Sequence, residues 1–524
     1  MVFRRFFLFS YFDALKVRHV VLLHAVVALI CGMVYAIFFS VVLPLLVVYI
    51  VFFLGAVHLF FRYKTVQTVG YFFLGYAWAA LQLHQAIVLA KNVTTETTVL
   101  VKGTVEDLPK NLGSFSSFRM VIDTTVPELP WLRRQCVRFI WYDAKYTSLV
   151  PMLRAQVHAN ARLQLLVRLT PVQLPSFDDF SERRQWVAGV SCMLRGIVKH
   201  SFAAHESASG SHVTRWREEM SGRISRAISS HDAAYIQALA LGDTRGLNVS
   251  DWSILRHTGL VHLIAISGSH VHLVANTFAA VVWILWYLFP GCGRVLPRND
   301  IYLAATVVGA IGYGCIVGFS LPTVRTIVML ILMAMLRLTR RNTPFTSVFA
   351  ITLGIMACVD PCAIATAGFW LSFCAVGCLL WCFAGYRPSV VVQFFYAQYV
   401  VSIALLPISI LFFQQFSLVG PVLNLFIIPW WSWTVIPLAL IGVLLACFCH
   451  GAGDWCWRMA AMCFGWCWPL ITRISYLPYV IWKADASCWS IVLAIMGAGW
   501  LLLPKGVQGK DLACVLFVPM LLSK

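Results

Sequence analysis

Apolar residues run through this chain in long unbroken blocks, with neither a two-residue alternation nor a helical stripe. The blocks lie near residues 20–39, 42–61 and 70–90. They resume near 259–289, 301–319, 324–338, 345–359, 364–384, 394–413, 418–448, 456–480 and 488–503, and a shorter one covers 511–522. A helix needs about 20 apolar residues to cross a bilayer, because each residue advances it by about 1.5 Å. Lipid offers no partner to backbone polar groups, so a span is either a helix or part of a closed barrel. Barrel strands alternate apolar and polar positions, and these blocks do not. The pattern predicts a polytopic α-helical membrane protein.

Between the third and fourth blocks, the pattern changes. VLVKGTV near 99–105, FRMVIDT at 118–124, VRFIWY at 137–142 and ARLQLLVRL at 161–169 are short strand patterns separated by Pro, Gly, Asn and Ser. Several short strands in a small segment predict an inserted small β-barrel of OB-like type. From about 178 to 232 the pattern becomes helical and amphipathic, with Arg183, Arg184, Arg195, Lys199, Arg215, Arg217, Arg223 and Arg226. The expected organisation is a three-span region at 1–90, an OB-like β domain at 91–175, an amphipathic helical linker at 176–232 and a polytopic membrane domain at 233–524.

Composition sharpens this picture. Of the 524 residues, 60% are hydrophobic and only 12% charged, against about 25% charged in ordinary soluble domains. The mean hydropathy is +0.80. The net charge of +19 is first of all an orientation signal, because polytopic proteins gather Lys and Arg in cytoplasmic loops. With Arg4, Arg5, Lys16 and Arg18 inside, Arg62 and Lys64 also fall inside and the 91–232 segment falls outside. Arg294 with Arg298, Arg337 with Arg340 and Arg341, Arg387, and Lys505 with Lys510 then alternate correctly; Lys483 is the exception. No cleavable signal peptide is expected, since the basic N-terminus precedes a full-length span.

Cysteine chemistry adds little. Cys374, Cys378 and Cys382 share a helical face without His, Asp or Glu beside them, which favours packing over metal binding. Cys136 and Cys192 fall in the polar segment, where a disulfide between them is left open. No metal ligand set, cofactor motif or carboxylate cluster is evident, and no Walker-A pattern is present.

Four stretches carry a family resemblance. ALALGDTRGLNVSDWSILRHTGLVHLIAISGSHVHLV at 238–274 resembles the signature of ComEC-type competence proteins at Gly242, Asp243, Gly246, Leu247, Gly259, His262, Leu263, Ala265, Ser267, Gly268 and His270. GFSLPTVRT at 318–326, DPCAIATAGFWLSFCAVG at 360–377 and FSLVGPVLNLFIIP at 416–429 are similar to further motifs, in the same order. Ser269, His272 and Trp370 depart from the expected Leu, Gly and Gln. The resemblance implies a bacterial inner-membrane channel that passes single-stranded DNA into the cytoplasm during natural transformation, with residues 91–232 periplasmic. It implies a periplasmic DNA receptor, a cytosolic helicase-like ATPase, and a nuclease supplied by another protein. Many members carry a metallo-β-lactamase-like domain after the membrane region; the expectation here is the short form without it, acting as a channel and not as an enzyme. A membrane transporter of a smaller anionic solute is the alternative.

Candidate residues follow from these readings. The pathway candidates are Asp243, Ser267, Gly268, His270, Arg325 and Asn424. Asp243 is either a turn residue or a pathway carboxylate. Ser267–His270 is either a broken helix beside a wet path or a kinked packing helix. Arg325 touches phosphates, snorkels to the interface or pairs with Asp243. After residue 232 there is no Glu and only seven Asp, which suits a polyanion and argues against ion-coupled transport. In the outer domain, Lys110, Arg119, Arg133, Arg134 and Arg138 with Trp141 and Tyr142 are candidates for phosphate contact and base stacking, against the alternative of a solvated face over core aromatics.

Overall fold

The structure, a computed structural model, describes residues 22–39, 44–61, 63–93, 95–106, 109–112, 115–142, 157, 161–171, 180–188, 194–207, 212–264, 266–288, 297–339, 343–383, 389–483, 488–502 and 510–519. Two compact units emerge: residues 1–218 with 342–366, and residues 219–341 with 367–524.

The first unit opens with the helices Leu22–Phe38, Leu45–His58 and Lys64–Lys91. The first and third of these touch backbone to backbone. A Cβ placed on Gly75 would collide with the Leu29 carbonyl, and one on Gly32 with the Phe72 carbonyl. Small residues at such crossings let helices approach closely where lipid supplies no hydrophobic drive. Gly75→Val is therefore expected to destabilise the unit by about 1–3 kcal/mol or more, read as a lower melting temperature in detergent. An unchanged temperature would refute the close crossing. The helix Phe345–Val359 belongs to the same unit, and the Trp78 indole donates to the Cys358 carbonyl at 2.9 Å. The blocks alone offered no sign of that long-range grouping.

The inserted domain is a closed barrel. Its strands are β1 (Thr97–Val105), β2 (Lys110–Leu112), β3 (Phe115–Val126), β4 (Cys136–Tyr142), β5 (Ala161–Thr170) and β6 (Leu194–Ser207). The order β1-β5-β6-β4-β3 returns to β1, with β2 added as a hairpin on β3. All pairings are antiparallel except β4 with β6. This five-stranded closed circuit with one parallel pair matches the OB-like expectation. Burial alternates along the strands, so Val99, Val101, Val105, Met120, Ile122, Val137, Leu163, Leu165, Val167 and Leu194 fill the interior. Each such side chain contributes about 1.5–3 kcal/mol when fully removed from water. Closure also leaves no bare edge on the five main strands.

The fifth barrel strand corrects the linker reading, because β6 lies inside the stretch assigned to an amphipathic helix. Leu194, Gly196 and Val198 face inward while Arg195 and Lys199 face out. That is a two-residue period. The basic spacing of the wider stretch masked it; among the described residues there, Phe180–Ala188, His212–Ala227 and the start of Ser230–Leu241 are helical.

The second unit is helical: Ser230–Leu241, Val249–His257, Val261–Ile264, Gly268–Leu288, Arg298–Val317, Leu321–Leu338, Ala367–Cys382, Val390–Phe413, Gly420–Trp430, Ile436–Ala446, His450–Ser475 and Cys488–Leu501. Among the described residues of the whole chain, six helices are long and apolar enough to cross a membrane. Leu46, Leu288, Val391 and Phe426 are each more than 60% exposed. Apolar surface on that scale is costly in water and is satisfied by lipid. The chain is a polytopic helical membrane protein with an inserted barrel. Trp431–Val435 winds as a π segment between Pro429 and Pro437, where two missing amide donors disturb the regular ladder. It buries Trp431 completely, while Trp433 points outward at 82% exposure.

Candidate functional site

Three places gather the candidate residues. On the barrel, β3, β4 and β6 are neighbours, and their register sets Arg119 opposite Arg138 and Arg138 opposite Arg195. Adjacent strands are about 4.8 Å apart, so three arginine positions cross the outer face in one row. Arg138 and Arg195 are exposed and Arg119 is half-buried. Like charges directly opposite each other destabilise a sheet. Arg138 and Arg195 lie exposed in this row, where solvent or an anionic partner can accommodate them. Arg133 and Arg134 are exposed at the turn before β4, and Lys110 starts β2 across from Ser117. The sequence placed Arg195 in the amphipathic stretch and not among the binding candidates, since cross-strand register is not written along a chain.

The aromatic part of that proposal is corrected. Trp141 is 4% exposed and lies in the barrel core with Phe118 and Phe139. It is not available for stacking on a base. Tyr142, the next residue, points outward at 51% exposure. The Cys136 thiol donates to the Glu106 carboxylate at 3.4 Å, and Cys192 lies outside the described residues.

In the second unit, Asp243 follows the left-handed residue Gly242 (φ 69°), which ends Ser230–Leu241. A residue with a Cβ is strained there, so the Gly-Asp pair is a turn device. The Asp243 carboxylate is 2% exposed and both of its oxygens are engaged. Arg245 donates through Nε to Oδ1 at 2.8 Å and through Nη2 to Oδ2 at 2.7 Å; the Ser221 hydroxyl donates to Oδ2 at 2.7 Å. Burial alone pushes this carboxyl upward, but the Arg245 guanidinium and these hydrogen bonds outweigh it and hold the group below the usual carboxylate range. Gln237 bonds the Ser221 carbonyl and the Ser225 hydroxyl, each at 2.7 Å. Asp243 thus ties the turn after Ser230–Leu241 to the helix His212–Ala227. Arg245 and Ser221 were not singled out from sequence.

Third is a broken helix. Val261–Ile264 ends, and Gly268–Leu288 begins after Ile266 and Ser267. The Ser267 and Ser269 hydroxyls share a hydrogen bond of 2.6 Å. His270 is 2% exposed and its Nδ1 has no partner. Gly268 packs against Leu321–Leu338: a Cβ there would stand 2.7 Å from Thr326 Oγ1 and 3.8 Å from Arg325 Nη2. Arg325 is 8% exposed and lies 5.5 Å over the Phe373 ring. Among the described residues Arg325 makes no ion pair with Asp243, whose carboxylate is held by Arg245. Ser267, Gly268, His270 and Arg325 thus share one neighbourhood. Asn424 sits on Gly420–Trp430, with its Oδ1 buried and unpartnered. The other histidines do not gather: His262 bonds the Gly259 carbonyl at 3.0 Å. Among the described residues, no three His, Cys, Asp or Glu side chains are grouped to hold a metal.

This second-unit region coincides with a known sequence family. The model of the family described as "Competence protein" matches residues 239–508, just over half of the chain. The chain belongs to the competence protein family. Similar curated proteins include Competence protein ComA of Neisseria gonorrhoeae, 31% identical over 335 residues covering 59% of this chain and 44% of the relative. Recombination protein 2 of Haemophilus influenzae is 26% identical over 410 residues, covering 75% and 47%. ComE operon protein 3 of Bacillus subtilis is 23% identical over 261 residues, covering 49% and 31%. The chain therefore spans less than half the length of these relatives. No solved structure matches it. The competence-family match contains Asp243, the Ser267–His270 break, Arg325 and Asn424, whereas the barrel precedes it.

Proposed function

We propose that the chain conducts one strand of DNA across the bacterial inner membrane during natural transformation. Family membership supports a part in DNA uptake, and two of the relatives carry competence or recombination in their names. The arginine row Arg119–Arg138–Arg195 carries the reading of the substrate. A line of guanidinium groups on a barrel face fits a repeating chain of phosphates, and single-strand binding on OB-like barrels combines such a groove with aromatic contact. In this reading the barrel is periplasmic and receives the strand from a DNA receptor. The helical unit then passes it inward through weak multi-site contacts. A cytosolic helicase-like ATPase supplies the work, and a nuclease on another protein removes the second strand. The chain needs neither catalysis nor a cofactor for this role.

The carboxylate inventory supports passage of a polyanion. Asp243 is paired with Arg245, Asp251 completes the capping box of Val249–His257, and Asp360 caps Pro361–Ala365. These groups are committed to local structure, which argues against proton or sodium coupling. A transporter of a smaller anionic solute is the competing reading, favoured by the single buried guanidinium of Arg325 among the described residues of the helical unit. Deleting the gene separates the two. Labelled DNA should no longer reach the cytosol, and expressing the chain again should restore it. Normal arrival of DNA in the deletion strain would exclude the conduction reading.

A further inference from the structure

We propose that Arg325 and the first turn of Gly268–Leu288 form a binding station for one phosphate group. Assigning that group to a DNA strand rests on the conduction reading; the station itself does not. Four observations converge. Arg325 is more than nine-tenths buried, yet among the described residues its guanidinium meets no hydrogen-bond acceptor and no carboxylate, only the Phe373 ring. Its Nη2 faces the start of the neighbouring helix, 3.8 Å from where a Cβ of Gly268 would stand. The Gly268 and Ser269 amides, which open that 21-residue helix, have no acceptor among the described residues. His270 Nδ1, in the same turn, is buried and unpartnered.

The first three are unfavourable without a ligand and favourable with the same one, and His270 joins them in the tautomer that carries its proton on Nδ1. A buried guanidinium calls for an anion. The opening amides of a helix carry about half a positive charge and bind phosphate oxygens. The guanidinium fork matches two phosphate oxygens at once, which a point charge does not. Gly268 supplies the access: any side chain there would meet Thr326 Oγ1 and screen the turn from Arg325. The alternative is an arginine that snorkels to the interface for its own hydration, which predicts no preference among anions.

The experiment uses the full chain purified in uncharged detergent. Its thermal stability is followed with increasing inorganic phosphate, with chloride at matched ionic strength, with a short oligodeoxythymidine and with phosphatidylglycerol. Phosphate should stabilise the protein beyond chloride, and Arg325→Gln should weaken the apparent phosphate affinity by about tenfold or more. Arg325→Lys keeps the cation, loses the fork and should be intermediate; it guards against a glutamine variant that does not fold. Equal effects of phosphate and chloride on the unsubstituted chain, or an unchanged affinity in Arg325→Gln, overturn the station. Stabilisation by the oligonucleotide that depends on Arg325 assigns it to a strand. Stabilisation by phosphatidylglycerol but not by the oligonucleotide overturns that assignment and leaves DNA conduction to be judged by the uptake experiment.

Discussion

Replacing Arg119, Arg138 and Arg195 together with Gln should flatten the salt dependence of single-strand binding by about two units of logarithmic slope. Each phosphate neutralised on a single strand contributes about 0.7 to that slope, and the row offers three guanidinium groups on adjacent strands. The measurement is fluorescence anisotropy of a labelled oligonucleotide with the full chain at several salt concentrations. The barrel should remain folded, because the three positions lie outside the core that fills its interior. Trp141→Ala is the contrasting change. It empties part of the core and should cost about 3–5 kcal/mol of stability while leaving the slope alone. An unaltered slope in the triple variant would mean that the row faces only solvent.

Asp243→Ala should destabilise the second unit by about 3 kcal/mol, the low end of the cost of removing one partner from a buried ion pair, because the Arg245 side chain keeps 23% of its surface in solvent. It strands the Arg245 guanidinium and the Ser221 hydroxyl together. The double variant Asp243→Ala with Arg245→Ala should recover part of the loss, since no unpaired charge then stays buried. The pH dependence has a defined sign. The folded carboxyl titrates below its unfolded value, so its contribution is complete above about pH 4 and disappears as pH falls through the depressed folded value. Asp243→Asn should remove that acid-dependent component from melting curves in detergent. A melting temperature unaffected by Asp243→Ala would contradict the anchoring role.

The spanning helices were legible because lipid enforces one rule along the whole chain, and blocks near 20 residues have few other uses. Of the barrel, β1, β3, β4 and β5 were legible, while the three-residue β2 is too short to show a pattern. β6 was missed because its outward Arg195 and Lys199 merged with the basic spacing of the helices on either side. Trp141 was readable in principle. In VRFIWY, an outward Arg138 puts Val137, Phe139 and Trp141 on the opposite face, and that is where they lie. The arginine row and the meeting of Arg325 with Gly268 depend on register and helix packing, which no local pattern encodes. The Asp243–Arg245 fork depends on the left-handed turn at Gly242. The sequence displays that turn as Gly-Asp but does not show which cation closes on it.

The parallel pairing of β4 with β6 has a consequence for how the protein is made. β4 ends at Tyr142, whereas its partner begins only at Leu194. During translation the nascent sheet therefore waits with bare edges on β4 and β5, able to pair with any passing extended peptide. A ribosome stalled within that interval would release a sticky half-barrel. Quality control of this chain thus turns on the arrival of one late strand.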